Sequence, residues 1–212
     1  LTGSISLGHT AFFGLGAYGA ALADHYLGWP VGLSVAAGAA LGTLYGLCWN
    51  TVLRGLRGAQ LALATLAAAE IPKIVIDNWE GLTFGSLGIS GISRLPAFSA
   101  GQLEIDWGRD PRAQYFLMLA LLIGFLWLHR RAMTSRWGWA VRALREDEQA
   151  AGSLGVDVTR VRSRALLLSA SLTGLCGALY AHLLGLVEPP LVFNLHLSAL
   201  PLILSIFGGR YF

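Results

Sequence analysis

Residues 31–53 read VGLSVAAGAALGTLYGLCWNTVL, an apolar run of 23 residues without a charged side chain. An α-helix of roughly 20 mostly apolar residues crosses a bilayer core of about 30 Å, and it satisfies its own backbone hydrogen bonds in lipid. Similar segments occupy residues 7–27, 59–78, 114–129, 165–187 and 192–208. The sequence therefore predicts an all-α, polytopic integral membrane helical bundle of about five to six transmembrane helices, in a single domain over residues 1–212.

The overall composition supports a membrane protein and disfavours several other classes. Hydrophobic residues make up 55% of the chain and charged residues 13%, whereas soluble proteins carry about 25% charged residues. The net charge of +3 is spread over loops, without the basic stripe of a nucleic-acid-binding protein. Cys48 and Cys176 lie in separate apolar segments and share no metal-ligand spacing with a histidine, so neither a disulfide nor a metal site is expected. Because the chain begins at Leu1 beside an apolar segment and ends without a polar tail, we expect a fragment cut at both ends.

The distribution of arginine and lysine predicts how the helices are oriented, because positively charged loops stay cytoplasmic. Eleven basic residues fall on one side of the predicted bundle and four on the other. The first group comprises Arg54, Arg57, Arg130, Arg131, Arg136, Arg142, Arg145, Arg160, Arg162, Arg164 and Arg210, and the second comprises Lys73, Arg94, Arg109 and Arg112. Residues 79–112 are therefore predicted to form an external loop, and residues 130–164 a cytoplasmic loop.

Small residues recur every four positions along residues 31–53. Residues spaced in this way lie on one face of a helix and form a continuous ridge. In lipid, such ridges let helix backbones approach closely. We interpret this ridge as a helix-packing surface, and the alternative is that it lines the substrate path. The ridge comprises Ser34, Gly38, Gly42, Gly46 and Asn50. A second ridge runs through Ala170, Gly174, Ala178 and His182.

Two segments contain the candidate residues for a translocation path. In residues 7–27, dense glycines such as Gly14 and Gly16 each weaken a helix by about 1 kcal/mol relative to alanine, so this helix must be packed or broken. Packing is the simpler interpretation, and a broken helix that presents its backbone to a ligand is the alternative. His9 is likewise either a packing residue or a ligand contact. Glu70 is an ionisable group inside a predicted span, which suggests a function, but Lys73 lies close enough along the helix to pair with it.

The predicted cytoplasmic loop contains an amphipathic pattern. Thr134 or Ser135 is a suitable N-cap, and the helix is predicted to end near Gly155. Its apolar stripe comprises Trp137, Val141 and Leu144. Periodicity alone fits a helix on the membrane surface and a docking helix for a cytoplasmic partner equally well.

Four stretches carry a resemblance to a known family. They are SISLGHTAFFGLGAYGAAL, LRGLRGAQLALATLAAAEI, GSLGISGI and SRWGWAVRALREDEQAAGSLGVDVTRVRSRALLLSASLTGLCGALYA. In this order, and over nearly the whole chain, they resemble the membrane permease subunits of high-affinity branched-chain amino acid ABC importers. The terminal FGGRYF resembles the point at which that family continues into a further glycine-rich helix.

The resemblance implies a multi-pass protein of the bacterial inner (plasma) membrane that translocates leucine, isoleucine and valine. It implies a second, homologous permease subunit, cytoplasmic ATPase subunits and an extracytoplasmic substrate-binding protein as partners. Neither a catalytic residue nor a cofactor is expected in this chain, which has no glycine-rich loop ending in Lys-Ser or Lys-Thr to bind a nucleotide. ATP hydrolysis is expected in the separate partner subunit.

The same resemblance implies a coupling site for the ATPase. ABC importer permeases share a cytoplasmic Glu-Ala-Ala motif that is followed after three residues by Gly. Gln149, Ala150, Ala151 and Gly155 match this spacing, but glutamine stands in the place of the glutamate, and Glu148 is its neighbour. We expect these five residues to couple the permease to the ATPase.

Three other functions remain open. A permease for urea or short-chain amides resembles the amino acid permeases closely, and pore-lining residues would distinguish them. A stand-alone secondary transporter or channel would not need the docking helix. An integral membrane enzyme would need converging catalytic groups, whereas the five histidines are scattered along the chain.

Overall fold

A computed structural model describes residues 8–53, 56, 58–100, 103–108 and 110–207. The helices are α1 (His9–Leu27), α2 (Val31–Val52), α3 (Gly58–Asn78), α4 (Glu80–Thr83), α5 (Pro111–Met133), α6 (Arg136–Glu146), α7 (Glu148–Ser153), α8 (Val158–Leu184), α9 (Pro189–Val192) and α10 (Leu195–Phe207). The strands are β1 (Ile89–Ser90), β2 (Ala97–Ala100), β3 (Leu103–Asp106) and β4 (Leu186–Val187). Part of the charge map (Arg54, Arg57, Arg109 and Arg210) and the terminal GGRYF lie outside the described residues.

Three described helices are long and apolar enough to cross a membrane: α2, α5 and α8. None of the most apolar part of α5 is buried, and large side chains such as Phe116, Ile123 and Leu126 are exposed along it. Such an exposed apolar helix is stable in lipid and not in water. The predicted all-α membrane class is confirmed, and the other predicted spans correspond to α1, α3 and α10.

Several predicted boundaries are wrong. Helix α8 begins at Val158, seven residues before the expected 165, because polar residues 158–164 continue the helix beyond the apolar stretch. The last span, expected to start at residue 192, begins at Leu195 after a separate short helix. The region expected as an external loop contains α4, a 3₁₀ turn at Gly85–Leu87 and three short strands.

The chain forms two compact units. The described part of the first covers residues 95–166 apart from 101, 102 and 109, and contains the antiparallel pair of β2 and β3 together with α5, α6 and α7. The described part of the second covers residues 8–94 and 167–207, in which β1 pairs antiparallel with β4. The assignment of residues 1–212 to a single domain stays a prediction.

Helices α2 and α8 pack through the two ridges of small residues. The buried residues of α2 are Ser34, Gly38, Gly42 and Gly46, whereas Asn50 is only half-buried. A Cβ placed on Gly46 would lie 2.7 Å from the Ala170 Cβ, and one on Gly38 would lie 2.8 Å from the Ala178 Cβ. Between them, a Cβ on Gly174 would lie 3.4 Å from the Gly42 Cα. The ridges therefore run antiparallel, with close contacts at Gly38, Gly42 and Gly46, and the interpretation of all five ridge residues as a packing surface stays a prediction.

A proline inside α3 is compensated by a side chain of α2. Pro72 has no N–H, so the carbonyl of Ala68, four residues earlier, has no partner in the helix. The Tyr45 hydroxyl donates a hydrogen bond to this carbonyl, with an O···O distance of 2.6 Å. The helix continues from Gly58 to Asn78 through the proline. Tyr45 thus replaces the backbone donor that Pro72 lacks.

One loop residue connects the C-terminal ends of α1 and α8. The backbone N–H of Ser93 donates to a carboxylate oxygen of Asp24 at 2.7 Å. The Ser93 carbonyl lies 2.7 Å from Nδ1 of His182, which must be the donor because a carbonyl only accepts. His182 is fully buried and Asp24 is nearly so. The loop after β1 is therefore bound to both helices.

Candidate functional site

The segment predicted as one amphipathic helix consists of two helices, so that prediction is corrected. The Ser135 side chain caps α6 by accepting from the Gly138 N–H at 3.3 Å. Asp147 adopts extended dihedrals and ends α6. Its carboxylate then accepts from the N–H groups of Gln149 and Ala150, at 2.8 and 3.0 Å, and caps α7. An aspartate that caps a helix in this way favours a break in the chain over a continuous helix.

The two helices fold onto a small apolar cluster. It comprises Val141, Leu144, Ala151 and Val161, with Trp137 and Met133 packed against them. The predicted apolar stripe of α6 is therefore confirmed. Because Ala151 is only 3% exposed, it supports this cluster from within.

The opposite side of α7 is exposed. Gln149 and Ala150 face outward, and Leu154, just after the helix, is 84% exposed. Gly155 has a φ of +86°, a left-handed conformation that glycine adopts at low cost, and its neighbours leave open space around it. Leu154 makes this surface apolar, and the small residues Ala150 and Gly155 let another protein approach the backbone closely.

Glu148 anchors α7 to the first turns of α8. Its carboxylate lies 2.9 Å from the Arg162 guanidinium, and the two side chains are 23% and 33% exposed. Partial burial makes this pair stronger than an ion pair in open solvent. Of the five predicted coupling residues, Glu148 and Ala151 therefore hold the element together, and Gln149, Ala150 and Gly155 lie on its surface.

The candidate path residues of α1 are in contact with neighbouring helices. Nε2 of His9 lies 2.9 Å from the Ser169 hydroxyl. A Cβ on Gly14 would overlap the Phe193 ring, and one on Gly16 would overlap the Gly174 carbonyl. Helix α1 is unbroken over its 19 residues. Close packing, and not a broken helix, thus explains the glycines of this segment.

Glu70 lies on α3 beside Lys73. Its carboxylate is 3.7 Å from the Lys73 ammonium, and the Glu70 and Lys73 side chains are 43% and 33% exposed. The predicted pairing is confirmed, and a role of Glu70 in the translocation path stays a prediction. The distance and exposure make the pair weak.

The short helix α9 and the break that separates it from the last span were missed from the sequence. Helix α9 ends at Val192, and Asn194 accepts from the His196 N–H at 3.0 Å and caps α10. Phe193 stacks on Tyr18, with ring centroids 6.2 Å apart. Because Tyr18 is the tenth of the 19 residues of α1, the break lies halfway along that helix. Pro189, Pro190 and Asn194 were the available sequence signals, since proline favours a helix start and asparagine a cap.

A family model described as the permease component of branched-chain amino acid transport systems matches residues 1–211. The chain belongs to this permease family. It is 35% identical over 99% of its length to the high-affinity branched-chain amino acid transport system permease protein LivM of Salmonella typhimurium, and equally to LivM of Escherichia coli. It is 26% identical over 69% of its length to the E. coli permease protein LivH. No solved structure matches.

This permease chain spans about half the length of the curated relatives that it matches: 53% of LivM and 47% of LivH. The family resemblance read from the sequence is confirmed by these matches. The apolar helices and the family together identify an integral membrane protein. The exposed surface of α7 and the packed α1 are therefore parts of a permease.

Proposed function

We propose that this chain is part of a permease subunit of an ATP-driven ABC importer that carries branched-chain amino acids across a bacterial inner membrane. The match of the permease family model to residues 1–211 is the observation that carries the proposal. The break between α9 and α10 supports it, because transporters often contain discontinuous helices near mid-membrane. ATP hydrolysis takes place in a separate subunit under this proposal.

The proposed partners follow from the same family membership. They are cytoplasmic ATPase subunits, an extracytoplasmic substrate-binding protein and a second, homologous permease subunit. Similarity to both LivM and LivH, two permease proteins named for the same kind of transport system, supports the homologous second subunit. The excess of arginine in residues 130–164 supports a cytoplasmic position for α6 and α7.

The ATPase is proposed to dock on the exposed surface formed by Gln149, Ala150, Leu154 and Gly155. Ala150 and Gly155 leave the backbone accessible. The exposed side chain of Leu154 supplies apolar surface that docking would remove from water. Ala151 and Glu148 act beneath this surface, the first through the apolar cluster and the second through Arg162. A movement of the ATPase is then transmitted through α7 to α8 as a rigid element.

Docking is tested with a charge placed on this surface. Ala150→Glu is expected to weaken ATPase binding to the complete permease by at least about tenfold, because burying an unpaired carboxylate costs more than about 1.4 kcal/mol. Thr159→Glu, at an exposed position on α8, adds the same charge as a control. Equal ATPase copurification with both variants and with the native permease would exclude this docking surface.

Transport is tested with the complete gene. Uptake of labelled leucine is measured in cells with and without the ATPase and the binding protein, with urea and other amino acids as competitors. Leucine uptake that requires the ATPase supports the proposal. Urea uptake would assign the chain to urea permeases instead, and uptake without the ATPase would contradict an ABC importer.

A further inference from the structure

We propose that the outward face of α6, formed by Arg136, Trp139 and Arg142, binds the headgroups of anionic phospholipids in the adjacent membrane leaflet. The proposal rests on α6 lying at the cytoplasmic end of α5 and is independent of ATPase docking on α7. It assigns α6 and α7 to different partners: lipid for the first and protein for the second.

The position of α6 beside the membrane follows from a close backbone contact. Only Thr134 and Ser135 separate α5 from α6. Gly138 packs against the Met133 carbonyl so closely that a Cβ on Gly138 would overlap it. The first turn of α6 is therefore held at the level of the last turn of α5, where the apolar span gives way to Arg130 and Arg131.

The face in question points away from the apolar cluster. At about 100° per residue, Arg136, Trp139 and Arg142 cover an arc of about 120° with Trp139 at its centre. Val141 and Leu144 lie on the opposite side and are 1% and 6% exposed. No contact with the rest of the described first unit thus covers Trp139, which is 63% exposed.

Trp139 has the chemistry of an interfacial anchor. Tryptophan is enriched at the level of lipid headgroups, where its ring contacts acyl chains and its N–H remains hydrated. The Arg142 guanidinium lies 5.0 Å from the centroid of the Trp139 ring, which orients a cation beside it. Arg136 and Arg142 flank the Trp139 ring on the helix, so the ring suits the apolar layer and the two guanidinium groups suit the lipid phosphate above it.

The charge of α6 favours anionic lipid over a neutral one. Its 11 residues include Arg136, Arg142 and Arg145 against a single acidic residue, Glu146. Arginine clusters immediately beyond a membrane span attract anionic headgroups, at about 1 kcal/mol or about fivefold in affinity for each arginine. Arg130 and Arg131 extend the same positive region to the end of α5.

A lipid titration tests the charge. The complete permease is prepared in phosphatidylcholine, and phosphatidylglycerol binding is measured by native mass spectrometry. Arg142→Gln is expected to lower the affinity about fivefold. Arg160→Gln is the matched control, because Arg160 is 80% exposed on α8, pairs with Asp157 at 2.9 Å, and carries the same charge. Equal effects of the two substitutions, or no effect of either, would overturn the proposal.

Fluorescence tests the position of Trp139 without removing the aromatic ring. The emission that is lost in Trp139→Phe is expected to be quenched by brominated phosphatidylglycerol more than by brominated phosphatidylcholine. If that emission is insensitive to both lipids and becomes shielded from aqueous acrylamide only when the ATPase binds, the face contacts protein and the lipid proposal is wrong. ATPase binding to the Ala150→Glu variant is measured in a separate experiment. The lipid proposal for α6 and the docking proposal for α7 can therefore fail independently.

Discussion

Tyr45→Phe is predicted to destabilise the permease by exposing a defect that Pro72 creates in α3. The substitution removes only the hydroxyl that donates to the Ala68 carbonyl at 2.6 Å. The ring contacts of Tyr45 with Phe12 and Trp49, at centroid distances of 6.3 and 6.1 Å, remain. An unsatisfied carbonyl costs about 1–3 kcal/mol when buried, and interhelical hydrogen bonds in membranes average about 0.6 kcal/mol with a maximum near 1.7. We expect a loss of about 1 kcal/mol.

The cause of this loss is tested with a double-mutant cycle. Pro72→Ala restores a backbone N–H that can donate to the Ala68 carbonyl, so the hydroxyl of Tyr45 becomes dispensable. Tyr45→Phe is then expected to cost less than about 0.3 kcal/mol in the Pro72→Ala background, which gives a coupling energy of about 0.7 kcal/mol. The measurement is reversible unfolding of the complete permease in mixed micelles of increasing SDS content.

The result that refutes this reasoning is additivity. If Tyr45→Phe costs the same free energy of unfolding with Pro72 and with Ala at that position, the hydroxyl does not substitute for the missing N–H. Tyr115→Phe serves as a control, since Tyr115 is 64% exposed on α5 and its hydroxyl removal should leave stability unchanged within about 0.3 kcal/mol.

The remaining predictions concern packing and ion pairs. In SDS unfolding, Gly38→Ala is expected to lower the free energy of unfolding by about 2 kcal/mol, because its Cβ would overlap the backbone of α1. Gly124→Ala has open space around it and should be neutral or stabilising by up to about 1 kcal/mol. Equal stabilities of the two variants would contradict the ridge packing. Glu148→Gln weakens the ion pair with Arg162 and is expected to increase the rate of proteolysis in α7 about fivefold. An unchanged cleavage rate would show that this pair does not hold α7 in place. Glu70→Gln is expected to cost less than about 0.5 kcal/mol, and a loss of several times that would assign Glu70 a larger structural role.

The elements that sequence predicted well are those determined by a single physical signal. The small-residue ridge on α2 follows from a four-residue period, and its three glycines, Gly38, Gly42 and Gly46, contact α1 and α8. The span at residues 31–53 follows from length and apolarity, and α2 ends one residue earlier. Pairing of Glu70 with Lys73 follows from their spacing on a helix.

The features that sequence missed depend on contacts between distant segments or on one residue overriding a pattern. Asp147 breaks the amphipathic segment because its carboxylate caps α7, although the apolar period continues past it. Ala151 matches the docking motif but faces the local cluster, which periodicity cannot reveal without the position of Val161. The stacking of Phe193 on Tyr18, 175 positions away in the chain, has no local sequence signal.

The two hydrogen bonds at Ser93 constrain how this permease can change shape. Both use main-chain atoms of Ser93, so substitutions there leave them in place, except proline, which lacks the N–H that donates to Asp24. Any motion that separates the C-terminal ends of α1 and α8 must break one of these bonds to a buried partner. A motion that preserves them moves the C-terminal ends of α1 and α8 together, so its hinge lies elsewhere in the chain.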